Sequence, residues 1–391
     1  MLPLTRRDAD ADDDEAHLVG ASSGGSAATQ ASLLECIAWG SVAECITSVC
    51  CPLIMAGDID VTATALNLVC PFLGGMAHAL DAASSFGGTN AAMHQRASAF
   101  QSGFIGVSTS FSFMAEQASL LDGWLHSALY VLATMSCSCF TFAAGRAVLV
   151  RVLRSNHELK RALRSGRPVL TSAHLSRVLG LFLALAWAWV LLAPAGAVHD
   201  PLAVHIARGR SEPPPPPPTK RGDVLHFVTG LAMQAAGLWV SARIDGSLSA
   251  STSKDLQRRS TPQLGIFWGV LLCNSLSCAV LVALRVGEAA SYLSADGLVV
   301  SKLRTSGCGA LSISGGLSAL LVAGKPAPSR HAQHAGSSSL SLDGPAGSTR
   351  SLASAALNVA LHLYVAGLTC VALPWLIAQA SPQSPAQPTV S

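Results

Sequence analysis

The sequence predicts an all-α integral membrane protein with about nine transmembrane helices. Of its 391 residues, 50% are hydrophobic and only 12% are charged, whereas soluble domains carry about 25% charged residues. The few charges are unevenly placed, which leaves long apolar runs of about the 20 residues that a helix needs to cross a bilayer. Helices are expected because lipid cannot satisfy backbone N–H and C=O groups. The lipid bilayer is therefore the first predicted partner.

Nine apolar runs are long enough to form such helices. They cover Ala31 to Val49, Val61 to Leu80, Phe100 to Leu121, Leu125 to Val150, Val178 to Val198, Leu225 to Ile244, Leu264 to Leu284, Leu303 to Ala323 and Leu352 to Ala378. The third and eighth runs are interrupted by glycine, serine and threonine. The first run is unusual because it contains Glu35 and Glu44.

Polar segments flank and separate these runs. We expect disorder in the acidic N-terminal tail and in the loop rich in Ser, Gly and His, because neither can bury an apolar core. The predicted segments are the tail 1–30, a basic loop 151–177, a proline-rich linker 199–224, the disordered loop 325–350 and a C-terminal tail 379–391.

The basic loop sets the predicted topology. Loops rich in Lys and Arg stay in the cytoplasm, and four runs precede this loop, so the N-terminus is predicted to be cytoplasmic as well. The run 178–198 then acts as a single connector that carries the chain across. Residues 31–150 and 225–378 become two inverted four-helix repeats, whose sites are expected near the membrane midplane.

Several classes of function are disfavoured by the sequence. The net charge is only +3, and no basic stripe with interleaved aromatic residues predicts a nucleic-acid partner. No GxSxG or P-loop motif occurs in a suitable context, so we do not expect an enzyme. Most cysteines lie inside apolar runs, where they are expected to pack rather than to form disulfides.

Polar residues inside the apolar runs are the candidates for a pathway. Asn67 and Asn274 occupy equivalent places in the two repeats, and an Asn in a membrane helix is costly unless it finds a partner or a polar route. Thr134 and Ser138 lie one turn apart in the fourth run. The alternative for all four is interhelical packing. The ninth run has the same spacing at Ser354, Asn358 and His362.

The third and eighth runs predict broken helices. Residues 102–117 and 306–321 combine glycines, which loosen a helix, with hydroxyls that can bond the freed backbone groups. A break at membrane depth is tolerated where it is buried in protein or lines a cavity, and its free carbonyls can coordinate a cation. The alternative is a face of small residues that packs against another helix.

The third run also resembles a known signature. Residues 103–112, GFIGVSTSFS, are similar to the GFxGxxTTFS motif of the CrcB/Fluc fluoride channels and of their eukaryotic relatives, the fluoride export (FEX) proteins, and Glu116 falls at the acidic end of that motif. Residues 307–312, GCGALS, resemble the FCGxxT core in the second repeat. The preceding family pattern NxxxxFxxG is matched by Asn67, Phe72 and Gly75.

This resemblance implies a passive, fluoride-selective channel that exports fluoride from the cytoplasm, in the plasma membrane and without an obligate protein partner. The expected fluoride pathway comprises Asn67, Asn274, Thr109, Ser110, Phe111, Ser112, Met114, Thr134 and Ser138. The resemblance also implies a central structural sodium ion, held by backbone carbonyls of Gly106, Thr109, Gly309 and Ser312.

Two departures from the family pattern leave alternatives open. Met114 stands where the family has a second phenylalanine, and the second repeat has Ser314 and Leu317 at the aromatic positions. This implies one competent pore rather than two. The alternatives are an ion-coupled secondary transporter, with Glu35, Glu44 or Glu116 as coupling residue, and a non-conducting relative of the channels.

The topology is testable by cysteine-accessibility labelling from each side of the membrane. A single cysteine placed between Arg151 and Ser176 should be labelled from the cytoplasm. One placed after Ala380 should be labelled from outside, because five further crossings separate the two segments. Labelling of both positions from the same side would contradict the inverted arrangement.

Overall fold

A computed structural model gives the architecture of most of the predicted membrane region. The described residues are 22–47, 55–56, 59–85, 91–121, 123–156, 158, 172–195, 219–258, 267–290, 292–293, 297–312 and 349–380. The predictions for residues 1–21 of the N-terminal tail, residues 199–218 of the proline-rich linker, residues 313–323 of the eighth run and the loop 325–348 fall outside these residues. So do the C-terminal tail from residue 381 and the greater part of the basic loop. Residues 220–224, which were predicted to be linker, are helical instead.

Helices account for nearly all of this structure. They are α1 (Ser22–Cys45), α2 (Val61–Ser85), α3 (Ala91–Phe100), α4 (Gly106–Ser108), α5 (Phe111–Ser119), α6 (Trp124–Ser155), α7 (Ser172–Leu192), α8 (Lys220–Arg258), α9 (Trp268–Ala289), α10 (Leu298–Lys302), α11 (Cys308–Leu311) and α12 (Thr349–Ala380). Two π-helices, π1 (Gln101–Ile105) and π2 (Leu303–Gly307), lie within the third and eighth runs. Two-residue strands, Met55–Ala56 and Ile59–Asp60, pair antiparallel before α2.

The predicted helical fold class is confirmed at this level. Four helical stretches among the described residues are long and apolar enough to cross a bilayer: Trp124–Ser155, Lys220–Ile244, Trp268–Ala289 and Ala356–Ala380. A shorter apolar stretch covers Arg177–Leu192. The full set of nine crossings and their inverted arrangement stay predictions.

The helix ends differ from the predicted boundaries. Helix α1 begins at Ser22, so residues 22–30 are helical rather than part of a disordered tail. Helix α8 continues to Arg258, well past the apolar run, and α12 includes residues 349 and 350 of the predicted loop. The apolar pattern marks the part of a helix that lipid or protein covers, whereas backbone hydrogen bonding continues into polar sequence.

The surface is apolar while the interior holds many polar groups. Trp124, Phe140 and Leu192 are 77%, 75% and 85% exposed, whereas Asn274 and Gln234 are 0% exposed. Soluble proteins avoid large exposed apolar faces. This distribution is the one expected of helices that face lipid on the outside and contain a polar centre.

Close glycine contacts join the most extensive helix pair, α2 and α6. A Cβ atom added to Gly145 would lie 2.8 Å from the carbonyl carbon of Phe72, and one added to Gly75 would lie 2.8 Å from the backbone nitrogen of Arg146. The backbones of the two helices therefore touch at two reciprocal points. Small residues allow this approach between membrane helices.

The first helix of each half packs against the π-helix of the same half through glycine. Gly103 in π1 faces the backbone of Cys36 in α1, and a Cβ added there would lie 2.9 Å from the Cβ of Trp39. Gly237 in α8 faces the end of π2, where an added Cβ would lie 2.5 Å from the carbonyl oxygen of Gly307 and 3.0 Å from the Cβ of Ala310 in α11. Both broken helices are thus held at close range by the helix that begins their half.

We predict that Gly145→Ala destabilises the protein whereas Gly367→Ala does not. The added methyl at position 145 meets backbone atoms that cannot move away, while nothing lies within 4 Å of one at position 367. Replacing glycine by alanine raises helix propensity by about 1 kcal/mol at either position. The difference in stability between the two variants therefore reports the packing contact. Thermal unfolding in detergent measures it, and equal midpoints for the two variants would contradict the interlock.

Candidate functional site

The first break follows π1 and α4. The N–H of Gly106 bonds the carbonyls of Gln101 and Gly103, which widens the turn. Helix α4 then ends at Ser108, because Thr109 (φ −121°, ψ 92°) and Ser110 (φ −94°, ψ 119°) are extended before α5 begins. We call residues 109–110 the first break. Wide turns of this kind are frequent at functional sites.

The second half repeats this order of elements. In π2 the N–H of Cys308 bonds the carbonyls of Leu303 and Thr305. Helix α11 then ends at Leu311, and Ser312 is extended (φ −87°, ψ 124°). We call Ser312 the second break.

The two breaks touch each other. The hydroxyl oxygens of Ser110 and Ser312 lie 3.1 Å apart, and the backbone N–H of Phe111 donates to the Ser312 hydroxyl at 3.0 Å. The Ser110 hydroxyl also accepts from the N–H of Phe113 at 3.1 Å, which caps α5. Hydroxyls from each half therefore satisfy backbone groups that the breaks release.

Helix α11 adds a second set of contacts. The carbonyl of Cys308 accepts from the hydroxyl of Ser277 in α9 at 2.7 Å, and the Ser112 hydroxyl lies 3.5 Å from it. The Ser312 hydroxyl donates to the carbonyl of Gly309 at 3.2 Å. A Cβ added to Gly309 would lie 3.9 Å from the Cβ of Ser110, so this glycine also faces the first break.

Phe111 lies at the centre of a core formed by α5, α6, α9 and α12. It is 0% exposed and belongs to a buried cluster that includes Met114 and Cys278. Its ring meets the ring of His362 edge-on, with centroids 5.6 Å apart and an interplanar angle of 82°. The Oδ1 atom of Asn358, one turn before His362, accepts from the N–H of Phe267 and so caps α9.

A separate polar seam runs between α2 and α6. The Ser138 hydroxyl donates to the carbonyl of Asn67 at 2.6 Å, and Thr134 is buried one turn before it. The hydroxyls of Thr64 and Tyr130 lie 3.1 Å apart on the same pair of helices. Of the expected pathway residues, Asn67, Thr134 and Ser138 lie in this seam, whereas Ser110, Phe111 and Ser112 lie at the breaks.

Several predicted donors already use their hydroxyl hydrogen within the protein. The Thr109 hydroxyl donates to the carbonyl of Ile105 at 2.6 Å, as the Ser138 hydroxyl does to Asn67. Asn274 is fully buried in α9, one turn before the bond that Ser277 makes to α11. The sequence pattern identified these groups as polar but could not show where their hydrogens point.

A buried network of four charges joins the two halves. Both Nε and Nη2 of Arg285 donate to one oxygen of Glu116, and Nη1 lies 3.2 Å from Glu288. Arg304 in π2 donates to the other oxygen of Glu288 at 2.7 Å. The network contains two carboxylates and two guanidinium groups, so its formal charge is zero. Buried charges persist only when paired in this way.

The basic half of this network was not predicted from the sequence. Arg285 lies one residue beyond the seventh predicted run, and Arg304 lies at the start of the eighth. The available signal was Glu116, because a carboxylate inside an apolar run requires a cation. The two carboxylates of the first run also have partners: Glu44 accepts from the Ser306 hydroxyl at 2.8 Å, and Glu35 lies 3.7 Å from Arg96.

The oxygen atoms at the breaks suit the sodium ion that the resemblance implies. Neutral carbonyl and hydroxyl oxygens from both halves meet there, and the last-turn carbonyls of α4 and α11 have no following helical turn. Such oxygens are the ligands of hard monovalent cations at broken helices. A cluster of three or more His, Cys, Asp or Glu residues, which would suit other metals, is absent from the described part of the chain.

Comparisons with protein-family models, with curated proteins and with solved structures give no match for this chain.

We predict that Arg285→Gln lowers the free energy of unfolding by about 3 to 5 kcal/mol, because it leaves the buried Glu116 without the guanidinium that holds it. Glu288 loses one of its two cations and keeps Arg304. Arg96→Gln is the matched control. Its pair with Glu35 is partly exposed, and such pairs contribute less than about 1 kcal/mol. Chemical unfolding in detergent measures both, and similar losses for the two variants would show that the network does not stabilise the fold.

Proposed function

We propose that this chain is a passive, fluoride-selective channel that exports fluoride across the plasma membrane. In this proposal its nine crossings form two inverted four-helix repeats joined by a connector, with a cytoplasmic N-terminus. The observation that carries the proposal is the contact between the breaks, where Ser110, Phe111 and Ser312 meet in a buried, uncharged region. Broken helices that meet at the interface of two inverted repeats are the arrangement that forms ion sites in many membrane transport proteins.

The hydroxyl groups near the breaks and in the polar seam support the passage of a small anion. Fluoride is a strong hydrogen-bond acceptor, so a pore must replace its water with donors that do not hold it tightly. Serine and threonine hydroxyls meet this need because each can rotate from a protein carbonyl to the ion. A typical protein hydrogen bond contributes only about 1 kcal/mol net, so the exchange costs little. Ser112 and Ser138 are placed for this exchange in the two polar regions.

Phe111 supports selectivity for a small, partly dehydrated anion. The edge of an aromatic ring is positive, so it can face an anion without adding a full charge. The ring is fully buried directly beside the first break. Met114, one turn along α5, lines the same cluster as an adaptable apolar wall.

The paired carboxylates favour a passive path over an ion-coupled transporter. A coupling residue must release and rebind its ion during each cycle. Glu116 is held by Arg285, and Glu44 accepts from Ser306. Glu35 lies beside Arg96. These contacts give the three acidic candidates structural roles instead.

A sodium ion would be held by the carbonyls of Gly106, Thr109, Gly309 and Ser312. When bound, it would supply a positive potential beside the anion path without a charged side chain. It would also give these buried carbonyl oxygens a charged ligand in a region away from bulk water. We therefore propose a structural rather than a coupling role for it.

We predict that Phe111→Ile abolishes fluoride flux into liposomes, because it removes the aromatic edge while keeping most of the volume. Phe142→Ile is the matched control. Phe142 is 1% exposed and meets the ring of His78 much as Phe111 meets His362, but it belongs to α6 and not to the segment that carries either break. It should reduce stability and leave flux per folded molecule intact, and Leu317→Ile should change little.

The same assay separates the competing functions. A channel passes fluoride down its own gradient, whatever the sodium or proton gradient. Flux that scales with an imposed sodium or proton gradient would replace the proposal with a coupled transporter. Folded protein that passes no fluoride would identify a non-conducting relative.

A further inference from the structure

His362 is a fully buried histidine with one ring nitrogen unused. It is 0% exposed, and its Nε2 atom has no hydrogen-bond partner in the part of the chain that the structure describes. Its Nδ1 atom lies 2.7 Å from the backbone carbonyl of Asn358. The ring stands perpendicular to that of Phe111. An unpartnered polar atom in such a place carries a desolvation cost and invites a ligand.

The tautomer of this histidine follows from its neighbour. A backbone carbonyl only accepts hydrogen bonds, so Nδ1 must carry the hydrogen. In the neutral ring Nε2 is then a bare lone pair, which repels an anion. Uptake of one proton from water converts the same atom into an N–H donor on a positively charged ring.

We propose that Nε2 of His362 is a proton-dependent binding position for the small anion, beside Phe111 in the path. This inference rests on the proposed function and adds to it a ligand that binds together with the anion. A buried imidazolium alone, or a buried anion alone, is unfavourable, whereas the pair is neutral and hydrogen-bonded. Each ligand must therefore strengthen the binding of the other.

Several titratable groups pack against α12, and His362 is the one expected to respond to pH in the neutral range. From α5 comes Glu116, which is held by Arg285 of α9, and Glu288 of α9 completes that network. Among the described residues, the other titratable groups of the same core are Cys278 of α9, Tyr130 of α6 and Cys370 of α12 itself. Among these residue types, histidine is the one whose charge ordinarily changes between about pH 5 and pH 8.

Fluoride binding to the purified full-length protein tests the proposal, at about pH 7.5 and about pH 5.5, on either side of the histidine range. Binding is measured rather than flux, because the neutral acid crosses lipid without a protein. The wild-type protein should bind fluoride about tenfold more tightly at the lower pH, within the usual range for two coupled ligands. By reciprocity, fluoride must raise the proton affinity of His362 by the same factor, which ring ¹⁵N NMR reports.

Two substitutions of His362 test whether fluoride binding needs an N–H donor at the position of Nε2 and a ring that can be protonated. His362→Gln places a permanent but uncharged N–H donor near the position of Nε2. Its fluoride affinity should therefore be independent of pH and lie between the wild-type affinities at the two pH values. His362→Asn reaches only the position of Nδ1, so its affinity should be low at both pH values. His78→Gln is the control, because this histidine also packs on a phenylalanine and its loss should leave the pH dependence unchanged.

The outcomes distinguish this proposal from the one it rests on. Fluoride flux with wild-type binding that does not change with pH would overturn the role of His362 and leave the channel proposal standing. So would a pH dependence that persists in His362→Gln, or one that disappears in His78→Gln. Absence of both flux and fluoride binding in folded wild-type protein would overturn both proposals. If the variants fail to fold, the wild-type pH dependence and the NMR tautomer still decide.

Discussion

The structure depends on one constraint: the chain leaves its helical path at two breaks in the buried interior of the molecule. Each departure releases backbone N–H and C=O groups that lipid and apolar side chains cannot satisfy. Ser312 from the second half accepts from the backbone of Phe111 in the first, and the Ser110 hydroxyl completes the contact. Neither break is complete without the other, so the two halves must dock in one register.

The same logic governs the charges. Glu116 lies in α5, the helix that follows the first break. Arg304 lies in π2, the π-helix that precedes the second break. Arg285 and Glu288, both on α9, join them into one neutral group. Hydroxyl contacts at the breaks and ion pairs to one side thus fix α5 against the second half at two levels, which keeps Phe111 in one position.

The sequence predicts features whose cause is local. Glycines at 103 and 106 followed by a hydroxyl run indicate an interrupted helix, and α4 does end within that run, at Ser108. The long apolar helices are predicted for the same reason, since each run bears its own signal. Helix ends are predicted poorly, as at Ser22, because polar helical turns lack the apolar pattern.

Features that join distant parts of the chain could not be predicted in this way. Glu116 requires a cation, but nothing in its own segment indicates that Arg285, 169 residues later, supplies it. The sequence predicts that the Thr109 hydroxyl donates to fluoride, but in the structure it donates to the backbone carbonyl of Ile105.

The contact between the breaks also has a consequence for how the protein is made. Ser110 and Ser312 are 202 residues apart, and ribosomes add about 5 to 20 residues per second. Ser312 is therefore synthesised about 10 to 40 s after Ser110. During that interval the first four apolar segments can already enter the membrane, while the first break still lacks its contacts with Ser312. Assembly of the newborn chain therefore has to include a stage in which water, lipid headgroups or the insertion machinery occupy the place that Ser312 later takes.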